Sequence, residues 1–310
     1  MKRVCALFGL QHIVLPYIAR PYASRSRQRH EFPVSVNLPY FDLVLERLEK
    51  NDPEFEIAFG QHVHWGYWAD PSRAVPTAED YALAAEALSQ QVYGAANVAD
   101  GQQILDVGCG FGGTIASVNE NFSDLNLVGV NIDERQLERA RLKVVAQHGN
   151  RIEFKQGDAC ALPIADEAFD RVLAVECIFH FSDRRRFFDE AFRVLKPGGY
   201  LALSDMLPAA WYANIAQLGA SASPTRQLFG HCQVCTMSGY QRLAEVSGFA
   251  FTFKKDITAN TLPTYAFLFA LKIQRTNTKL SRSNLGIHGL KLAGRLGLVR
   301  YQILGFQKPK

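Results

Sequence analysis

Residues 104–113 read ILDVGCGFGG, an apolar run that turns straight into glycines. Ile104, Leu105 and Val107 suit a buried parallel strand. Gly108, Gly110, Gly112 and Gly113 let the backbone bend sharply and come close to a ligand. A helix-like stretch, TIASVNENF, follows at once. A ligand at this turn would face the free N–H groups of a helix N-terminus. Gly108, Gly110 and Gly113 also satisfy G-x-G-x-x-G, the dinucleotide fingerprint, which expects an acid at the end of the second strand. Here the second strand, LNLVGV (125–130), ends at Asn131, and the nearest acid is Asp133. Asp106, two residues before the first glycine, stands outside the dinucleotide pattern. It would answer a cationic group held over the turn.

D-x-G-x-G after a strand resembles motif I of the class I S-adenosylmethionine-dependent methyltransferases. The stretches VGVNIDERQLERAR (128–141), FKQGDACALPIADEAFDRVLAVECIFHF (154–181) and FRVLKPGGYLALSD (192–205) follow in that family's order. With HVHWGYW (62–68), they are most similar to bacterial small-molecule O-methyltransferases acting on macrolide sugars, indolocarbazole sugars and polyketides. The resemblance runs from about residue 98 to 206 and more loosely to the C-terminus.

Outward from motif I, strands are expected at 103–107, 126–131, 152–156, 170–176, 199–204, 249–256 and 298–306. Helices are expected at about 112–121, 134–147, 184–195, 236–247 and, in two pieces broken around Asn284, Gly286 and Gly289, at 262–295. Such alternation predicts an α/β fold with a doubly wound, mostly parallel sheet. The resemblance implies seven strands with the last antiparallel, a Rossmann-like methyltransferase fold. Lys196-Pro-Gly-Gly199 reads as the turn into the fifth strand. Upstream, Tyr40, Phe41, Val44, Leu45 and Leu48 recur at helical spacing. Thr77-Ala-Glu-Asp80 reads as a capping box opening a helix that runs to about Val98. The expected organisation is an N-terminal arm and helical cap over 1–97 and a methyltransferase domain over 98–310. Segments 207–235 and 257–297 are left to shape a substrate pocket.

The 310 residues are 48% hydrophobic and 21% charged, a globular composition. Six cysteines lie mostly inside apolar runs, which suits a reducing, cytoplasmic location better than a disulfide scaffold. No apolar run reaches the roughly 18–20 residues of a membrane span. Lys2 and Arg3 before an apolar stretch resemble a signal peptide, but Gln11, His12 and Pro16 interrupt it. All 30 acids lie between Glu31 and Asp256, so both ends of the chain are purely basic. Such ends either meet an acidic carrier protein or an anionic membrane surface, or stay solvated. No recognisable RNA-binding module accompanies them, so no nucleic-acid partner is expected.

The resemblance implies S-adenosyl-L-methionine as cofactor and distributes its contacts. Asp106 would meet its ammonium group, and Gly108 and Gly110 would pass close to the methionine portion. Asn131 would accept from a ribose hydroxyl through its neutral carbonyl. Ile132 would pack on the adenine face, with Asp158 and the Ala159 N–H pairing with its edge. Trp65, Tyr67 and Trp68 would shield the sulfonium and attract it through their π faces. Glu176 would contact cofactor or substrate.

Methylating a hydroxyl also requires removing its proton. His180, just past the fourth strand, is the candidate base. Asp205, at the end of the fifth, would orient it as a carboxylate orients a triad histidine. Each role has a plainer alternative: a turn acid at Asp158, a core histidine at His180, a cap at Asp205, core packing for the aromatic rings. His231, Cys232 and Cys235 lack a fourth ligand for structural zinc, so no metal is expected. The reading is an O-methyltransferase for a hydroxylated small-molecule secondary metabolite. The alternatives are a C-methyltransferase for a quinone- or tocopherol-like ring, a nucleic-acid methyltransferase and a non-catalytic cofactor sensor.

Overall fold

In the computed structural model the motif I strand becomes β1 (Gln103–Val107), near the middle of a seven-stranded sheet ordered β3-β2-β1-β4-β5-β7-β6. The described residues are 38–222, 226, 229–271 and 278–310, with only the backbone described over 278–285. The basic N-terminal arm, Pro224, and the side chains of Lys272, Arg275, Lys279 and Arg282 lie outside them.

β1 pairs in parallel with β2 (Asn126–Asn131) and β4 (Phe169–Val175). β3 (Arg151–Gln156) extends one edge, and β5 (Leu195–Pro208) continues the parallel run. β7 (Val299–Gln307) lies antiparallel between β5 and β6 (Ala250–Asp256). The chain works outward from β1 to β3, then returns to β4, so strand order reverses between β1 and β4. A doubly wound sheet opens a ligand crevice at the carboxyl ends of the strands flanking such a reversal.

Alternate side chains of each strand feed opposite faces, as the two-residue period requires. On one face Ile104, Leu127, Leu173, Ala202 and Ile303 pack with Leu88 and Val92 of α3 (Ala78–Ala95) and Ile115 and Val118 of α4 (Gly113–Asn121). On the other, Leu105, Val172, Leu201 and Leu304 meet Phe187, Phe188 and Ala191 of α6 (Arg184–Val194) and Tyr240 of α8 (Met237–Ser247). A third cluster joins α1 (Pro39–Glu49), α2 (Pro53–Phe59) and α3 to Phe267 of α10 (Pro263–Ala270). The predicted Thr77 cap is present, its hydroxyl accepting from the Asp80 N–H at 3.3 Å.

Three boundaries differ from the sequence reading. β5 starts at Leu195, so Lys196-Pro-Gly-Gly199 is an irregularity inside the strand, with Gly198 at φ +80°. The pairs Phe169–Leu195 and Arg171–Tyr200 bracket it. β5 also runs on to Pro208, held by the Pro208–Val299 pairing with β7. The third difference is the helical break in 262–295. α11 (Thr278–Arg295) contains Gly286 and Gly289, so the break comes before Thr278 instead of at the glycines. An interior glycine costs a helix only about 1 kcal/mol. Burial of Ile287 and Ala293 and packing of Leu290 on the core favour continuing it.

Candidate active site

Each glycine of the β1–α4 turn has its own constraint. Gly108, Gly110 and Gly112 hold φ of +77°, +55° and +80°. A Cβ at Gly108 would lie 2.7 Å from the Cys177 Cβ, so this glycine lets the turn close against the segment leaving β4. A Cβ at Gly110 would meet only Gln136 Oε1, at 3.8 Å, so its Cα faces open space. Asp106 is 2% exposed, and its Oδ2 has no hydrogen-bond partner among the described residues. Burial raises its carboxyl to about 7. A buried, unpartnered acid beside an open glycine turn fits a ligand that brings its own cation. The ammonium group of S-adenosylmethionine is such a cation.

The residues expected along the nucleoside lie on the next two strand ends. Asn131, buried at the end of β2, donates its side-chain amide to Gln136 Oε1 at 2.9 Å, which fixes the orientation of its carbonyl. Ile132 follows, half-buried. Asp133 caps α5 (Glu134–Lys143), accepting from the Arg135 N–H at 3.0 Å, and its carboxylate is engaged by the Arg135 guanidinium. It is a helix cap. Asp158 Oδ1 accepts from the Cys160 N–H at 2.8 Å, which makes it a turn acid and leaves Oδ2 for another donor. Ala159 beside it is buried.

The aromatic loop divides its side chains. Trp65 lines a cavity, and its backbone N–H donates to Glu176 Oε2 at 3.0 Å. The Tyr67 ring carries the Lys255 ammonium 5.1 Å from its centroid. Trp68 is tied through its indole N–H to Asp80, 2.7 Å away, and packs with the α1–α3 cluster. The two histidines that precede these rings form a buried chain. His62 bonds Glu86 at 2.9 Å, His64 bonds His62 at 3.1 Å and Ser89 at 3.1 Å, and Ser89 bonds Thr114 of α4. This chain clamps the loop onto the N-terminus of α4. Glu176 also accepts from the Tyr301 hydroxyl, sits at φ +49°, and is raised to about 8 by burial. It is therefore mostly protonated at neutral pH.

The expected His180–Asp205 pair is absent. Asp205 accepts from the Tyr240 hydroxyl and from Arg184 at 3.3 Å, and its Oδ1 takes the Met206 N–H. All three side chains are buried, and burial raises the Asp205 carboxyl while Arg184 and Tyr240 offset part of the rise. An isolated buried carboxylate is costly, and Arg184 on the first turn of α6 supplies the missing charge. His180 instead places Nδ1 3.3 Å from the His231 carbonyl and Nε2 3.3 Å from the Tyr40 hydroxyl. A carbonyl only accepts, so Nδ1 carries the proton and Nε2 offers its lone pair to Tyr40. Burial lowers the imidazole to about 4, so it is neutral at pH 7. Tyr40 lines the cavity and stands between it and His180. Sequence reading counted Tyr40 only as an apolar helix position and did not single out Arg184, Tyr240 or Tyr301.

The cavity holds about 520 Å³ and is walled largely by apolar side chains of α1, α7 (Ala213–Ser221) and α11. Tyr40, His64, Trp65, Glu176, Asp205 and Gln233 are among its polar groups. Known proteins agree with the reading of motif I. A family described as "Methyltransferase domain" matches residues 105–203. Methyltransferase GfsG of Streptomyces halstedii is 34% identical over 66% of this chain and 72% of its own length. The 27-O-demethylrifamycin SV methyltransferase of Amycolatopsis mediterranei is 33% identical over 67% and 73%. Erythromycin 3''-O-methyltransferase of Saccharopolyspora erythraea is 27% identical over 81% and 84%. Among solved structures, the [4+2]-cyclase SpnF superposes with a TM-score of 0.66 at 23% identity, covering 87% of this chain and 94% of its own. A putative sarcosine dimethylglycine methyltransferase from Galdieria sulphuraria gives 0.67 at 20%, over 84% and 98%. With the unpartnered Asp106 at an open glycine turn and these relatives, the chain belongs to the class I S-adenosylmethionine-dependent methyltransferases.

Proposed function

We propose that this methyltransferase alkylates a hydroxyl of a bulky, largely apolar secondary metabolite, a glycoside or a polyketide-like compound, with His180 as general base. The observation that carries the reading is the chain from the His231 carbonyl through His180 to Tyr40, which ends at the wall of an apolar cavity. The named activities of the relatives from Amycolatopsis mediterranei and Saccharopolyspora erythraea support an oxygen nucleophile on a natural product.

S-adenosylmethionine, when bound, supplies an electrophilic methyl on a good leaving group. The chain's task is then to position the acceptor and take its proton. Asp106, Gly110, Asn131, Ile132, Asp158 and Ala159 would hold the cofactor at the strand ends. Trp65 would wall the space between cofactor and acceptor. The acceptor hydroxyl gives its proton to Tyr40 Oη as the Tyr40 proton passes to His180 Nε2. The His231 carbonyl holds Nδ1–H throughout and stabilises the imidazolium that forms. Burial keeps the Tyr40 phenol protonated at rest, so it donates to His180 before the acceptor arrives.

The test is incubation of the chain and S-adenosylmethionine with a panel of hydroxylated glycosides and polyketides, read by mass spectrometry and NMR. A new O-methyl signal that disappears in His180→Ala is expected. Methylation only at ring carbon, or full activity without His180, would refute the assignment. A solved relative by fold is named a cyclase, so turnover must be read as methyl transfer and not as consumption of the acceptor.

A further inference from the structure

The elements that wall the cavity also carry an apolar rim of exposed side chains. Trp211 is 73% exposed, and Ile215 and Leu218 of α7 are 54% and 72% exposed. On the second element, Leu292 of α11 and Leu296 just past it are 57% and 63% exposed. The two groups diverge from one corner. Pro208 pairs with Val299, and the Ala209 N–H donates to the Leu298 carbonyl at 2.9 Å. Both elements also line the cavity itself, through Tyr212 and Ile215 on one side and Leu290 and Ala293 on the other. Five large apolar side chains exposed on the two elements that wall the cavity are more than scattered surface residues explain.

Charge around this rim is predominantly basic, and Asp256 is paired with Arg300 at 3.1 Å. Segments 206–244 and 257–310 contain no Asp or Glu, while 257–310 alone carries nine Lys and Arg. Arg295 is exposed between Leu292 and Leu296, and Lys291 stands beside them with its ammonium over the Phe269 ring.

We propose that this rim is a docking surface for an anionic lipid bilayer, which delivers an apolar acceptor directly into the cavity mouth. Trp211, Leu218, Leu292 and Leu296 enter the headgroup boundary, and the cations face anionic headgroups. Weak insertion and a basic patch together give reversible surface binding, which neither gives alone. An acidic carrier protein would be drawn by the cations but has less use for exposed indole and leucine groups. The chain's own first 30 residues carry six basic groups and no acid, so they complement the bilayer and not the rim. The role of the bilayer as a source of acceptor rests on the cavity being the acceptor site, but vesicle binding does not.

The experiment is co-sedimentation of the full chain with vesicles of phosphatidylglycerol and phosphatidylcholine, and with phosphatidylcholine alone. Binding to the anionic vesicles at about 0.1 M salt is expected, weakening toward about 1 M as charges are screened. Trp65 and Trp68 are buried, so a blue shift of tryptophan emission on binding reports Trp211. The double variants Trp211→Ser/Leu218→Ser and Leu292→Ser/Leu296→Ser should bind about tenfold or more weakly. Their calorimetric affinity for S-adenosylhomocysteine, unchanged from wild type, shows that they fold. Absence of vesicle binding by the wild type overturns the proposal. So does salt-sensitive binding that persists in both double variants, since that would mark a purely electrostatic surface for an acidic macromolecule.

Discussion

At the scale of residues, the site works through groups whose environments push them away from their ordinary titration. Asp106 is raised to about 7 by burial, well above an exposed aspartate. In the ligand-free chain the folded state therefore holds this proton over the window from about 4 to 7, while the unfolded state does not. Folding stability from this group falls as pH rises through that window. A ligand cation reverses the preference. Binding of S-adenosylhomocysteine near pH 6 should release a proton, measured by calorimetry in buffers of different ionisation enthalpy, and Asp106→Asn should abolish that release. His180 shifts the other way, to about 4, so it remains a neutral base well below pH 6. His180→Ala should leave cofactor affinity nearly unchanged and lower kcat by roughly 10²–10⁴-fold, the usual worth of a positioned proton acceptor. Tyr40→Phe should follow it in kcat if the phenol carries the proton. Wild-type kcat in the Phe variant would leave Tyr40 as packing alone.

At the scale of elements, the site depends on how the 61–68 loop meets the N-terminus of α4. A Cβ at Gly113 would collide with the His62 ring and the Gln61 carbonyl, both part of that contact. His62 is itself tied to Glu86 of α3 and, through His64 and Ser89, to Thr114. Gly113→Ala should therefore push the loop off the helix instead of improving helix propensity. Overpacking of this kind costs about 1–3 kcal/mol. Urea denaturation should show that loss, and calorimetry should show weaker cofactor binding, because Trp65 and the Glu176 contact move with the loop. An Ala variant as stable as wild type would mean that the loop adapts freely.

At the scale of the whole molecule, the three core clusters meet around the crevice, so a ligand there should stabilise the fold as a unit. At about one hundred times its Kd, S-adenosylmethionine should add roughly 2.7 kcal/mol and raise Tm, whereas NAD should leave Tm unchanged. The opposite result would return motif I to the dinucleotide reading. The sequence by itself determined the sheet, because strand period, glycine turns and helix caps are local signals written within some ten residues. It also placed Asp106, Gly110, Asn131 and Asp158 at strand ends, because the alternation fixes the order of those ends. Only the tertiary structure decided the partners of His180 and Asp205. His180 and Asp205 lie at the ends of neighbouring strands, which suggested a pair, yet Arg184 and Tyr240 reach Asp205 from α6 and α8. Tyr40 reaches His180 from 140 residues away. Partners of a buried charge are selected by which helix packs over it, and no local pattern in the chain encodes that choice. Nor does any local pattern encode that Trp65 lines the cavity while the Tyr67 ring meets Lys255 of β6.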